Sequence, residues 1–337
     1  MEYVRTDDAR FENLPGYPFA PHYVDVPDFD GGTLRIHYVD EGEGDVILCL
    51  HGQPSWSYLY RKMIPIFVKA GCRVVAPDMM GFGKSDKPTA RENYTYANHV
   101  AWIKTLIEAL DLGDITLVCQ DWGGLIGLRV AAEVPDRFAR IVTANTGLPD
   151  SEGVTPDKVA QVSGQMHAYY ESLPVPANAV EMAMAMSGDD TGMGFLHWVK
   201  YCAESEGFSP QEVLTLSTGG TLSEEEQRAY GAPFPDETYL AGARQFPSLV
   251  PIIPDNPAIE ANRAAWAVFR KWDKPFLTAF SDSDPVTAGA HVRFQKSVPG
   301  ARSQPHITIE GAGHFLQEQA PETLAEATLK LIADNSA

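Results

Sequence analysis

Ile115-Thr116-Leu117-Val118-Cys119-Gln120-Asp121-Trp122-Gly123-Gly124 decides how this chain is read. The first five residues form an apolar, β-branched run, and Leu125 to Glu133 continues with a helical pattern. A polar residue between strand and helix, followed by small residues, is the layout of a nucleophile elbow. Serine is usual at that position; here it holds Asp121. A carboxylate attacks directly, where a hydroxyl must first lose its proton. Trp122 follows, and its indole N–H can only donate a hydrogen bond. A carboxylate nucleophile beside such a donor suits displacement of an anionic leaving group. Cys119 stands where the general elbow pattern has glycine, and its small side chain is expected to fit.

Working outward, strand-like and helical runs alternate. Gly32 to Tyr38, Val46 to Leu50, Arg73 to Ala76, Ile115 to Cys119 and Arg140 to Ala144 read as strands. Tyr58 to Ala70, Tyr96 to Leu110 and Leu125 to Glu133 read as helices. Continuous apolar strands separated by helices predict a parallel sheet covered on both faces. From Leu148-Pro149-Asp150 to about Arg244 strand signals vanish, and the segment is rich in Met, Gly and Pro. Alternation then resumes with strands Phe276 to Phe280 and His306 to Ile309 and a final helix, Glu322 to Ala333. The pattern predicts an α/β core of 1–148 and 245–337, interrupted by a helical cap of 149–244. A cap inserted there would sit above the carboxyl ends of the strands, where open α/β sheets bind ligands.

Composition narrows the function. The 337 residues, 44% hydrophobic, are ample for a large core. With 26 basic against 45 acidic residues and a net charge of −19, nucleic acid and anionic membrane surfaces are excluded as expected partners. No run approaches the length of a membrane span, and the start lacks a signal-peptide core. Cys49, Cys72, Cys119 and Cys202 match neither a zinc nor a CxxC spacing, so buried thiols in a reducing cytoplasm are expected.

An elbow nucleophile needs a histidine and an acid, in the chain order nucleophile, acid, histidine. Of His167, His197, His291, His306 and His314, the last lies in Gly311-Ala312-Gly313-His314-Phe315, a glycine loop after a strand that can present an imidazole to a cleft. Ser281-Asp282-Ser283-Asp284-Pro285 follows the strand before it. Asp284 is preferred to Asp282, because it lies later in the loop and directly before Pro285, which holds it extended. Upstream, Leu50-His51-Gly52-Gln53-Pro54 is positioned to supply Gln53 N–H to an oxyanion hole, with Trp122 N–H as the other donor. His51 is expected to hold this loop.

Together with Ser55-Trp56-Ser57-Tyr58-Leu59-Tyr60-Arg61 and Pro77-Asp78-Met79-Met80-Gly81-Phe82-Gly83-Lys84-Ser85-Asp86-Lys87-Pro88, these motifs make the chain resemble a haloalkane dehalogenase of the α/β-hydrolase superfamily. The histidine-glycine motifs mark only the superfamily; Asp-Trp at the elbow is more specific. The resemblance implies an α/β-hydrolase fold with a mostly parallel central sheet, flanking helices and an inserted helical cap. It implies hydrolysis of haloalkanes to alcohol, halide and a proton. It implies no metal or organic cofactor, a small halogenated hydrocarbon and a halide ion as partners, a cytoplasmic location, and a monomer or small homo-oligomer. Some relatives carry Asn after His-Gly and an acid after the strand following the elbow; here those positions hold Gln53 and Asn145. That matches the group whose acid follows the later strand and whose second halide donor is a cap tryptophan, Trp198 in Phe195-Leu196-His197-Trp198. Phe195, Leu125 and Pro233 are the expected substrate-pocket residues. The cap is less similar than the core and longer near Val175 to Gly194. The alternative from the same three groups is an epoxide hydrolase, with Tyr169, Tyr170, Tyr201 or Tyr230 protonating the opened oxygen.

Overall fold

The computed structural model describes residues 1–335. Eight strands form one sheet: β1 (His22–Pro27), β2 (Thr33–Glu41), β3 (Asp45–Leu50), β4 (Cys72–Pro77), β5 (Ile115–Gln120), β6 (Phe138–Ala144), β7 (Phe276–Ser281) and β8 (Ile307–Ile309). Their spatial order is β8-β7-β6-β5-β3-β4-β2-β1. The pairs from β8 across to β4 are parallel, and β2 runs antiparallel to both β4 and β1. β5 sits mid-sheet, and all six of its residues are buried, as an uninterrupted apolar strand requires. The helices Tyr96–Ala109, Trp122–Glu133 and Pro321–Asp334 pack along the sheet.

Register sets the site. Leu50 pairs with Cys119, and Gln120 pairs with Ala144. The segments beginning at His51, Asp121 and Asn145 therefore leave the sheet side by side. Ile309 pairs with Ser281, which brings the loops after β7 and β8 together at the same edge.

Two expectations need correction. The helix expected over Tyr58 to Ala70 is a short turn, Ser57–Tyr60, followed by a helix of Ile64–Lys69 only. Pro65 has no N–H to donate back along a continuous helix, but it fits a first turn, so the helix starts there. Strand β1 went unread because it lies at the sheet edge with only Val26 buried, which leaves little apolar pattern.

Between β6 and β7 there are helices and no strand among the described residues: Val159–Ser172, Ala179–Ser187, Phe195–Glu204, Pro210–Ser217, Glu224–Gly231, Ala241–Leu249 and Ile259–Phe269. The helix Ala241–Leu249 runs across the boundary expected at 244/245. A buried ionic cluster ties this segment to the rest. Arg61 Nη2 donates to Glu226 Oε1 at 2.5 Å and to Glu318 Oε2 at 3.1 Å, and Tyr230 Oη also donates to Glu318. Breaking one partner in such a cluster strands a buried charge and typically costs about 3–5 kcal/mol. The four cysteines are unpaired and buried.

Candidate active site

Asp121 occupies the turn between β5 and the helix Trp122–Glu133, with φ of 51°. A non-glycine residue held there costs about 1–3 kcal/mol. The turn is tight because its neighbours lack side chains. A Cβ on Gly123 would lie 1.9 Å from Leu50 O, and one on Gly52 would lie 2.3 Å from Asp121 Oδ1. Asp121 N donates to Asn145 O at 3.0 Å. Thr146 Oγ1 donates to Asp121 O at 2.7 Å. Gln53 N donates to Asp121 Oδ1 at 2.8 Å.

His314 is the histidine that meets Asp121. Its Nε2 lies 3.5 Å from Asp121 Oδ2, and its Nδ1 lies 3.1 Å from Asp284 Oδ2. The others are engaged elsewhere: His167 with Asp255, His197 with Asp189, His306 with Thr278 N and Ala301 O, and His291 against the Phe280 ring. Asp284 is buried and also accepts from Val286 N at 2.9 Å, Thr287 N at 3.2 Å and Thr287 Oγ1. Burial alone would raise its carboxyl, but the His314 charge and these bonds hold it well below the usual carboxylate range. Burial likewise disfavours the His314 imidazolium, yet Asp284 and Asp121 overcome this and raise its pKa. Gln120 pulls the other way. Its Nε2 donates to His314 O at 3.1 Å and lies 3.0 Å from His314 Nε2, where a donor suits the neutral Nδ1–H tautomer. Asn145 Nδ2 also donates to His314 O, at 3.1 Å, and so steadies the loop.

Asp282 is exposed, and its Oδ1 accepts from Gly311 N at 2.9 Å, a turn-capping role. His51 holds the upstream loop: Nδ1–H donates to Gly52 O at 2.9 Å, and Nε2 accepts from Met79 N at 2.9 Å. Burial lowers its pKa and keeps it neutral.

Asp121, Trp122, Trp198, Phe195, Gln53 and His314 all line one cavity of about 230 Å³. Its walls are largely apolar, from Met182, Met186, Val213 and Leu216 on the inserted helices and Phe315 after His314. The six tryptophans divide sharply. Trp56, Trp102 and Trp266 donate their N–H to Ala229 O, Pro27 O and Leu148 O. Trp272 is buried and its N–H lacks an acceptor among the described residues, but it does not line this cavity. Trp122 and Trp198 line the cavity, and neither indole N–H has a protein acceptor among the described residues. Tyr96 and Phe246 pack edge-on against the Trp122 ring at 5.2 and 4.8 Å, and Tyr201 and Phe208 support Trp198.

Other expected residues are placed differently. Leu125 lines a second cavity of about 310 Å³, which shares Asp121 with the first. Pro233 lines neither cavity; it is buried at the N-terminal segment, where its carbonyl accepts from Thr6 Oγ1 at 2.7 Å. The Gln53 side-chain amide turns away from Asp121 and donates to Ala243 O at 2.9 Å and Cys202 Sγ at 3.8 Å. None of the four cap tyrosines lines the first cavity. Tyr201 and Tyr230 donate to Gly207 O and Glu318, and Tyr169 and Tyr170 to Asp189 and Glu204.

Sequence reading missed a clamp beside Trp198. Asp189 accepts from Thr191 N, Thr191 Oγ1, Tyr169 Oη and His197 Nε2. It pins the glycine-flanked loop that leads into the helix Phe195–Glu204. Asp-Asp-Thr between glycines resembles any solvated turn, so only the fold reveals the role.

A family model of the alpha/beta hydrolase fold matches residues 45–321. The fold thus defines an α/β hydrolase, with aspartate in the turn between β5 and the helix Trp122–Glu133. The haloalkane dehalogenase of Psychrobacter cryohalolentis is 49% identical over 99% of this chain and 99% of its own. That of Mycobacterium marinum is 45% identical over 97% and 98%. Among solved structures, the tetrameric haloalkane dehalogenase DpaA from Paraglaciecola agarilytica is 32% identical with a TM-score of 0.78, covering 100% of this chain and 99% of its own. The chain belongs to the haloalkane dehalogenase family and is a hydrolase. Among the described residues, no helix is long and apolar enough to cross a membrane.

Proposed function

We propose that the protein hydrolyses haloalkanes in two steps through an alkyl ester of Asp121. An Asp121 carboxylate oxygen bonds to the sp³ carbon, and the halide leaves with the bonding electron pair. The indole N–H groups of Trp122 and Trp198 receive that anion in a cavity where such bonds exceed their strength in water. His314 then takes a proton from water, whose oxygen bonds to the Asp121 carboxyl carbon. Charge on the ester oxygen falls to the backbone N–H groups of Gln53 and Trp122. The intermediate collapses, the alcohol leaves with the original carboxylate oxygen, and one proton is released. Asp284 orients His314 and offsets its charge. No step in this scheme requires a metal or organic cofactor. A cap of 149–244 over a core of 1–148 and 245–337 goes with this reading, since it supplies Trp198.

The observation that carries the proposal is the pair of cavity-lining tryptophans, neither with an acceptor among the described residues for its indole N–H, beside a carboxylate. An epoxide hydrolase would need a hydroxyl aimed at the epoxide oxygen, and each cap tyrosine is committed elsewhere. The test is halide release from chloro-, bromo- and iodoalkanes with an epoxide as control, followed by one turnover in heavy-oxygen water. Label is expected in Asp121, with little in the first alcohol. Label only in the alcohol would mean that water attacks the substrate carbon directly.

A further inference from the structure

Asp121 stands where two cavities meet. Among the described residues, only Asp121, Phe195 and Val286 line both, so Phe195 from the inserted helices and Val286 from the loop after β7 form the partition. We propose that the two chambers select secondary haloalkanes, with one alkyl arm in each. The proposal rests on the dehalogenation reading and specifies its substrate class.

The chambers differ in chemistry. The first holds both unpaired indole donors and must take the leaving halide. The second, lined by Leu125, Leu148, Val250, Ile252 and Phe294, is largely apolar. Its tryptophan, Trp266, donates to Leu148 O at 2.7 Å. Its Thr287 hydroxyl donates to Asp284. Its Arg293 holds both Asp150 oxygens, at 2.8 and 2.9 Å, and Glu152 at 2.9 Å. With its tryptophan, threonine and arginine engaged, the second chamber suits the alkyl part of a substrate.

Displacement requires the attacking oxygen, carbon and halide in line, so the carbon's other substituents spread sideways from that axis. Beyond the halide subsite the first chamber still offers an apolar wall of Met182, Met186, Val213 and Leu216. A primary halide has one arm and leaves one wall unfilled. A secondary halide fills both, and each methylene so buried is worth about fourfold in binding. The reaction balances as before: the C–halogen bond breaks, Asp121 carries the branched alkyl group, and water returns a secondary alcohol, halide and a proton.

The experiment compares kcat/KM for bromoethane, 1-bromohexane and 3-bromohexane in the wild type and in Ala290→Phe and Val250→Phe. Both positions line the second chamber and not the first. In the wild type, kcat/KM for 3-bromohexane should exceed that for 1-bromohexane. Each variant should lose about tenfold or more on 3-bromohexane, while bromoethane changes less than twofold. The proposal is overturned if the wild type has the higher kcat/KM for 1-bromohexane. It is also overturned if both variants spare 3-bromohexane, or depress bromoethane equally. Absence of bromide from bromoethane and 1-bromohexane alike would overturn the dehalogenation reading itself.

Discussion

Replacing Asp121 by Asn tests the proposed switch of His314 from charge holder to base. In the free enzyme His314 lies between two carboxylates, at 3.1 and 3.5 Å, and burial is outweighed, so its pKa is raised. An imidazolium cannot take a proton from water. Ester formation on Asp121 removes one of the two anions and leaves the Gln120 donor beside Nε2. Asn is an uncharged isostere of that ester. At 3.5 Å and an effective dielectric of about 20, the lost attraction is roughly 5 kcal/mol. That corresponds to a fall of roughly three pH units, with Asp284 still opposing it. Ring-nitrogen NMR titration of His314 in the wild type and Asp121→Asn measures the fall directly. Stability follows with a defined sign. A raised histidine pKa stabilises fully below the unfolded value near about 6.5 and loses that contribution as pH rises through the folded value. Asp121→Asn should therefore move the loss to lower pH in unfolding curves. A His314 pKa unchanged, or raised, in the variant would refute the argument that esterification frees the base.

The remaining predictions concern the residues around this pair. Asp284→Asn should slow hydrolysis by at least about a hundredfold, whereas Asp282→Asn, exposed and bonded to Gly311 N, should change it little; steady-state rates with 1-bromohexane decide, and the reverse ranking would displace Asp284. Because the Asp284 carboxyl is held below its ordinary range, its contribution is present above about pH 4 and disappears as acid titrates the folded carboxylate, so Asp284→Asn should flatten the acid limb of a urea-unfolding series. Trp198→Phe should cost on the order of 3 kcal/mol, roughly a hundredfold in rate, and weaken bromide quenching of tryptophan fluorescence; unchanged rate and affinity would make Trp198 a packing residue. Asp189→Ala should loosen the Trp198 helix and weaken bromide binding about tenfold, the scale of a lost charge-assisted bond, with Tyr170→Phe, which removes only the bond to Glu204, as a control that leaves affinity unaltered.

The residue types of the site were legible in the sequence because each sits in a short local signal. Asp121 follows an apolar strand, His314 lies between glycines after another, and Asp284 precedes Pro285. The alternation of strands and helices, and its interruption near Leu148, followed from apolar periodicity alone. Edge strand β1 and the break before Pro65 were misread because their signals are weak or lie in a single backbone N–H. What the tertiary structure decided is which side chains share a space. Sequence left Pro233 in the pocket, whereas packing carries it to the N-terminal segment; packing also turns the Gln53 side-chain amide to Ala243. It left four tyrosines open as acids, and the fold commits each hydroxyl to another partner. Which tryptophans keep an unpaired N–H, and that Asp121 joins two chambers, depend on contacts between segments far apart in the chain. Local pattern encodes an element and its faces; the direction of a side chain into a shared cavity depends on every element that packs around it.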